Sequence, residues 1–426
     1  MYAIINKLPK TSPATQKARI FIIMEMTEIK FMPKESKIYL GSPALLKLPD
    51  GALLVTHDYF GPGILSPEQP ALTSVYRSED GGETWSNISQ IIGCFWGTLF
   101  LHRNEIYLLS VTREYGDLVI RKSTDGGYTW TNPTNEKNGL LLKSGPGHKA
   151  PNWHSASATG VYSYKGRLFK SLEELIVPEE GGDALWRPDL FSASVISADE
   201  NSDLLDAASW TRSNSIMMES QKFPHELNLH IKHGGWLEGN FAEPPEGGLL
   251  MLMRVHLAHA FNRIAHIKVS DDGRNITFSH TDGVVEFIGG TSKFNVIYDE
   301  KTKCYFSLSH GYLSDEFEHG RHNLYLVVSE DFKHWRTLKK LLCDDTGLDK
   351  ETARNFTGFQ YPDFLIDGED LLYVVRTAYK GAHTFHDSNR ITFHKERNFR
   401  NLLNNNKPDF RSENLQQVSE KQRSLF

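Results

Sequence analysis

The chain has 426 residues, 39% hydrophobic, 23% charged and 11% aromatic, with a formal net charge of −6. That balance describes an ordinary globular protein longer than the usual single domain, and the negative sign disfavours a general nucleic-acid or acidic-membrane binder. Cys94, Cys304 and Cys343 are odd in number and form no metal or redox spacing, which argues against a disulfide framework.

No stretch reaches the length of a membrane span. The apolar run at residues 20–24 is short, is followed by Glu25, and has no small-residue cleavage site, so it does not read as a secretory signal. The default is a cytoplasmic location, or a secreted or periplasmic one if the N-terminus is misassigned. Residues 1–28 read as an extension, outside the native protein if the chain starts at Met24 or Met26. Residues 29–39 then read as a strand whose place is the outer edge of the last sheet, where it would join the chain's two ends and remove an exposed edge.

The next stretch organises the rest. After β-rich segments and a turn at Pro49-Asp50-Gly51 comes Ser78-Glu79-Asp80-Gly81-Gly82-Glu83-Thr84-Trp85, and the chain repeats it as Ser123-Thr124-Asp125-Gly126-Gly127-Tyr128-Thr129-Trp130. A short acidic residue followed by two glycines suits a tight hairpin turn that needs positive φ, and the Trp can fold back over it. Weaker echoes follow at Asp206–Trp210, Ser270-Asp271-Asp272-Gly273 and Ser329-Glu330-Asp331 with Trp335. A unit recurring at roughly 40–50 residues is the signature of a radial repeat of small sheets.

The octapeptide resembles the Asp-box, or bacterial neuraminidase repeat, of the sialidase superfamily, over about residues 39–393. The resemblance implies an all-β, six-bladed β-propeller spanning residues 29–400, with the turns on a rim away from any site. In that register the first blade runs from residue 43 through the octapeptide and from Trp85 onward, and the others cover residues 95–130, 154–210, 236–278, 293–335 and 359–393. A Glu-, Gly- and Pro-rich insertion at 177–188 and a long connection at 212–235 are placed to roof a basin. The polar tail at 401–426 has little to bury and reads as disordered.

Stacking the blades exposes a further pattern. The second strands are apolar and end in His57-Asp58, Arg113-Glu114, Glu173-Glu174, Arg254 with His256, Ser309-His310 and Arg376-Thr377. The first strands begin on the same rim with Trp96, His154, Trp236, Glu238, Lys293, Gln360 and Tyr361. Aromatics to stack on, charges for hydroxyls and titratable groups converging in one basin describe a sugar site.

Sialidases attack with a Tyr assisted by a Glu and clamp the substrate carboxylate with three arginines. By resemblance, Trp236-Leu237-Glu238-Gly239-Asn240 continuing to Arg254 presents Glu238 as the assistant and Arg254 as a carboxylate ligand. Gly320-Arg321-His322 is similar to the segment of the third Arg, and Gln360-Tyr361-Pro362-Asp363 presents Tyr361 as the nucleophile. Asp58 is the nearest candidate for the acid/base. One departure stands out, because the family places its first Arg two residues before a proline and this chain reads Gly41-Ser42-Pro43. Either Arg376 or Arg113 replaces it, or the ligand is not a typical sialic acid. The full candidate set is Tyr361, Glu238 and Asp58 for chemistry, with Arg254, Arg321, Arg376, Arg113, Trp96, His154, Glu173, Gln360 and His57 for binding.

The expected activity is removal of a terminal acidic sugar from an oligosaccharide or glycoconjugate. Alternatives are a polysaccharide lyase, suggested by the histidines His57, His154, His310 and His322, and a glycan-binding propeller without chemistry, suggested by the missing Arg. No cofactor is implied. His383-x-x-His386-Asp387 with Asn389 is a weak metal signal with no fourth ligand in sequence, and a polar role suits it better. Oligomeric state leaves no trace in the sequence.

Overall fold

The computed structural model describes residues 26–64, 69–146, 149–177, 187–311 and 320–404. They form six antiparallel sheets, each a meander of four principal strands, arranged as a six-bladed β-propeller. Blade 1 comprises Ala44–Lys47, Leu53–Phe60, Leu72–Ser78 and Ser86–Ile92, and blade 2 comprises Phe95–His102, Glu105–Val111, Leu118–Ser123 and Leu140–Leu142. In blade 3 the inner strand is broken into Trp153–His154 and Tyr162–Tyr164, followed by Arg167–Leu175, Phe191–Asp199 and Trp210–Arg212. Blade 4 is built on Gly235–Ala242, Leu249–His256, Arg263–Val269 and Ile276–Thr277, and blade 5 on Asn295–Asp299, Cys304–Ser309, Asn323–Ser329 and Arg336–Cys343. Blade 6 contains Gly358–Asp367, Asp370–Ala378 and Arg390–Glu396, and its outer strand is Thr27–Phe31 from the other end of the chain.

The closing strand begins at Thr27, two residues before the sequence expectation, and pairs Thr27 with Phe393 and Phe31 with Arg390. It stops well short of residue 39. Pro33 has no N–H to give a ladder, the chain turns through Lys34–Ser36, and Tyr39–Leu40 pairs instead with blade 1. At the other end, Phe399–Asn404 forms a 3₁₀ turn with Phe399 fully buried, so residues on both sides of position 400 share one element. The rest of the expected tail and most of the 177–188 insertion lie outside the described residues.

Alternation along each strand puts apolar side chains on both sheet faces, and each face is buried against the next blade. The result is a ring of six apolar clusters, each shared by two neighbours. Phe169 and Val195 of blade 3 meet Trp236 and Met253 of blade 4, for example, and Val55 and Tyr76 of blade 1 meet Val374 and Phe393 of blade 6 across the closure. The connection 212–235 joins this core, with Met218, Phe223 and Leu229 packed in the blade 3–4 cluster.

The two octapeptides fold identically. In the first, Ser78 Oγ donates to Asp80 and accepts the Gly82 N–H, Asp80 accepts the Thr84 N–H (2.9 Å) and hydroxyl (2.6 Å), and Trp85 Nε1 donates to the Gly82 carbonyl (3.1 Å). Ser123, Asp125, Gly127, Thr129 and Trp130 repeat every one of these bonds. The degenerate copy at Ser329 keeps the Ser–Asp contact and substitutes His334 for the Thr, its Nδ1 donating to Asp331 at 2.6 Å. Each turn joins the third and fourth strands, and the Trp plugs the gap to the preceding blade, Trp85 lying 5.4 Å from Phe393 of blade 6.

What positions the site is an alternation between blades. The inner strands of blades 2, 4 and 6 each carry a one-residue register shift, at Phe95/Thr98, Leu237/Asn240 and Gln360/Asp363. In each, the residue that opens the shift is a non-glycine in the left-handed region: Trp96 (φ 52°), Glu238 (φ 62°) and Tyr361 (φ 49°). A bulge of this kind re-aims one side chain without ending the strand. Two residues on, a polar side chain pins the next blade. Thr98 donates to the Ala156 carbonyl of blade 3 (3.2 Å), Asn240 to the Phe294 carbonyl beside blade 5 (2.8 Å), and Asp363 accepts the Leu45 N–H of blade 1 (2.8 Å). Each bulge is held in turn by the odd blade before it, through Asp58 to the Trp96 N–H (2.7 Å), Glu173 to the Gly239 N–H (3.4 Å), and His310 Nε2 to the Phe359 carbonyl (2.6 Å).

Candidate active site

The three bulges aim into one cavity of about 990 Å³ at the rim where second strands end. Tyr361 Oη donates to Glu238 Oε1 at 2.7 Å, and Arg254 Nη1 donates to the other oxygen, Oε2, at 2.9 Å. Glu238 and Arg254 are both almost fully buried, and Arg254 is fixed further by its Nε on the Thr291 carbonyl (2.7 Å). Burial alone would raise the Glu238 carboxyl, but Arg254, then Lys293 and His154, outweigh it and hold it at about 2. Burial pushes the Tyr361 phenol up to about 12, helped by the charge of Glu238 and moderated by Arg254 and Arg376. At neutral pH the pair is therefore a neutral phenol bonded to a carboxylate, with two guanidinium groups beside the phenol.

Arg376 is 96% buried by its 4% exposure and lies between two rings, its Cζ 5.2 Å from the Tyr361 centroid and 4.7 Å from that of Phe60. Its Nε finds no hydrogen-bond partner among the described residues. Arg321 reaches the same cavity from the segment ahead of blade 5's third strand, and its Nη1 donates to Gln360, whose amide donates to the Phe385 carbonyl. Three guanidinium groups thus line one cavity, from blades 4, 5 and 6.

Asp58 enters from blade 1, near the end of that blade's second strand. It is 1% exposed, and burial raises its carboxyl to about 7 against the opposing pull of the Trp96 N–H and Arg376. It also occupies the space that a side chain at position 41 would need, because a Cβ on Gly41 would lie 1.3 Å from Asp58 Oδ1. The position where the resemblance expected an Arg is therefore closed by a carboxylate.

Of the sequence candidates, Asp58, Trp96, His154, Glu238, Arg254, Arg321, Tyr361 and Arg376 line the cavity. Arg113, Glu173, Gln360 and His57 do not. Arg113 turns away to the Gly145 and Glu114 carbonyls, while Glu173 is fully buried and receives the His154 Nδ1–H at 2.6 Å. Gln360 holds Arg321, and His57 stacks on Tyr76 inside blade 1. Trp236 and Lys293 also lie behind the wall, Trp236 in the blade 3–4 core and Lys293 bonded to the Ala158 carbonyl (2.9 Å). The connection 212–235 contributes no lining residue, because its apolar side chains anchor it in that core.

His310 and His322 stand outside the lining. His383 and His386 each direct Nδ1 at Asp387, at 2.7 and 2.9 Å, and Asn389 braces the backbone of Tyr379. Glu114, named on the rim in sequence but not among the binding candidates, also lines the cavity, and sequence reasoning missed Tyr59, Phe60 and Tyr115, which do so too. A signal for the bulges was available: Phe95-Trp96-Gly97-Thr98, Leu237-Glu238-Gly239-Asn240 and Gln360-Tyr361-Pro362-Asp363 align as a large residue, the aimed residue, Gly or Pro, then a polar side chain.

No protein-family model matches this sequence, and no curated protein sequence matches it either. Solved structures do. A protein of unknown function from Dyadobacter fermentans DSM 18053 superposes with a TM-score of 0.55 at 14% identity, over 87% of this chain and 99% of that one. The Hadza microbial sialidase Hz136 gives 0.55 at 16% over 87% and 68%. An E242A mutant of the α-L-arabinofuranosidase Arb93A from Fusarium graminearum, in complex with an iminosugar inhibitor, gives 0.52 at 11% over 87% and 98%. At such identities the likeness is one of fold, a propeller scaffold shared with glycoside hydrolases.

Proposed function

We propose that the chain is a glycoside hydrolase that removes a terminal acidic sugar with Tyr361 as nucleophile. The observation that carries this is the Tyr361–Glu238 hydrogen bond of 2.7 Å, with Arg254 on the second carboxylate oxygen. Tyr361 Oη attacks the anomeric carbon while its proton passes to Glu238 Oε1. With the phenol near 12 and the carboxyl near 2, that transfer is far uphill before attack, so it proceeds only as the new C–O bond forms. Asp58, protonated below about 7, gives its proton to the departing glycosidic oxygen. Its carboxylate then takes a proton from water, which displaces the tyrosyl oxygen, and Glu238 returns the proton to Tyr361. Two displacements give net retention.

The acidic character of the substrate is inferred from Arg254, Arg321 and Arg376, with Arg376 standing in for the guanidinium absent at position 41. Planar guanidinium groups bind a carboxylate in two-point fashion. A neutral tyrosine also approaches an anomeric centre that bears a carboxylate with less repulsion than a second carboxylate would meet. Sialidases and an arabinofuranosidase among the solved structures of this fold support a glycan substrate. The test is incubation with sialylated, uronate-containing and neutral oligosaccharides, resolved by mass. Loss of a terminal acidic sugar with gain of water is the expected result. A product lighter by water would mean a lyase, and binding without product would mean a glycan-binding propeller.

A further inference from the structure

The cavity is divided chemically. Its titratable cluster, Glu238, Arg254, Arg321, Tyr361 and Arg376, comes from blades 4 to 6. Another part of the wall comes from blade 1 and the segment before it, where the large apolar lining residues are Met32, Ile38, Phe60, Ile64, Pro70 and Leu72, with Ser42, Tyr59 and Gln69 among them. Asp58 is the one charged residue among the described lining residues of that wall. At about 990 Å³ the cavity stands at the top of the roughly 300–1,000 Å³ range of small-molecule sites. One sugar ring on the charged cluster leaves the apolar side open.

The mechanism orients the substrate across this division. Nucleophile and acid flank the bond being broken, so the leaving group departs on the acid's side. The nucleophile belongs to blade 6 and the acid to blade 1. Phe60 marks the border, with Arg376 stacked on it and Tyr361 on the far side of that guanidinium.

We infer that the blade 1 wall is a leaving-group subsite for an apolar aglycone, an alkyl or aryl group attached to the acidic sugar. This rests on the hydrolase reading, because only bond cleavage between Tyr361 and Asp58 makes blade 1 the leaving-group side. A polar oligosaccharide there would find Ser42, Asp58, Tyr59 and Gln69 and would leave its other hydroxyls facing Met32, Ile38, Ile64 and Leu72, at a cost an apolar group avoids. Ile64 is half-buried and belongs to none of the blade cores, and Met32 is half-buried at the edge of the blade 6–1 core, so the Ile64 replacement is the one that leaves the cores untouched.

The experiment separates the subsite from the chemistry by measuring binding without turnover. The full chain and its Ile64→Gln and Met32→Gln variants are titrated calorimetrically with 4-methylumbelliferone as the aryl probe, n-octanol as the alkyl probe and lactose as the polar one. At least one apolar probe should bind the parent more tightly than lactose, and at least one variant should weaken that binding about tenfold, the loss of part of a buried aliphatic side chain. The preferred probe identifies the aglycone as aryl or alkyl. Lactose binding more tightly than both apolar probes, or affinities unchanged in both variants, would overturn the subsite. Failure of the hydrolase reading shows elsewhere, as absence of product from the glycan panel.

Discussion

Blades 2, 4 and 6 differ from blades 1, 3 and 5 by about one residue in one strand. In the even blades an extra residue in the left-handed region turns Trp96, Glu238 or Tyr361 into the cavity. In the odd blades the inner strand is interrupted at 41–43, interrupted at 155–161, or pairs without any shift from Asn295 to Asp299. Their contribution comes from the second strand or the residue just past its end, where Asp58, Glu173 and His310 each hold the bulged strand of the following blade. The propeller is thus three pairs, in which one blade presents a side chain and its neighbour fixes the backbone that presents it. Each left-handed residue costs about 1–3 kcal/mol, which persists because the surrounding bonds over-determine it.

The sharpest way to break that division is to strip the reactive atoms from one side at a time. Tyr361→Phe keeps the ring over Arg376 and removes the nucleophile, and kcat should fall on the order of 10⁴-fold or more with KM little changed. Glu238→Gln should cost about 10²–10⁴-fold in kcat, the range of a general base. Glu173→Gln, an equally buried carboxylate in an odd blade, should leave kcat within tenfold while lowering stability by about 1–3 kcal/mol through the weakened His154 and Gly239 bonds. If Glu173→Gln matched Glu238→Gln in kcat at full folding, the division of labour would be wrong.

Asp58 belongs to both sides, since it holds Trp96 and also lines the cavity. With its carboxyl near 7 and Glu238 near 2, kcat/KM should stay level through mildly acidic pH and fall above about 7 as Asp58 loses its proton. Asp58→Asn should remove that descending limb along with most activity toward poor leaving groups. Linkage gives the accompanying sign. The folded protein retains this proton up to about 7 while the unfolded chain gives it up near 4, so this group's contribution makes stability decline as pH rises between those values. A stability titration of Asp58→Asn should lack that decline.

Position 41 tests the same residue from the other direction. Gly41→Ala puts a Cβ onto the Asp58 carboxylate and should destabilise by about 1–3 kcal/mol, with Asp58 driven from its place. Adding Asp58→Gly should recover part of that loss, a coupling that independent sites would not show.

These tests follow a line between what was and was not legible in the sequence. The octapeptides, the closing strand and the apolar second strands were readable because turn chemistry and period-2 patterning act locally. Strand ends named the correct rim, but successive side chains in a strand face opposite ways, and the rim does not say which member of a pair faces in. In His57-Asp58 and Arg113-Glu114 it is the second residue that lines the cavity, and in Arg376-Thr377 the first. The bulges were hidden for a related reason. A one-residue shift inverts the parity of everything before it, and that shift is recorded only in the tertiary bonds that hold it.

The opposite rim offers the mildest test, because the octapeptide turns there do not alternate between odd and even blades. Gly82 has φ 97° and a Cβ on it would lie 2.1 Å from the Phe393 ring, across the closure between blades 1 and 6. Gly51, in another turn of blade 1, has φ 92° with nothing within 4 Å of its Cβ position. Gly51→Ala should therefore cost only the backbone term, about 1 kcal/mol, and Gly82→Ala about 2–4 kcal/mol because the clash is added to it. Both should leave kcat unchanged in the folded fraction. A change in kcat for Gly82→Ala at full folding would mean that the closure couples to Tyr361 through blade 6, and that the pairs of blades are less independent than their hydrogen bonds imply.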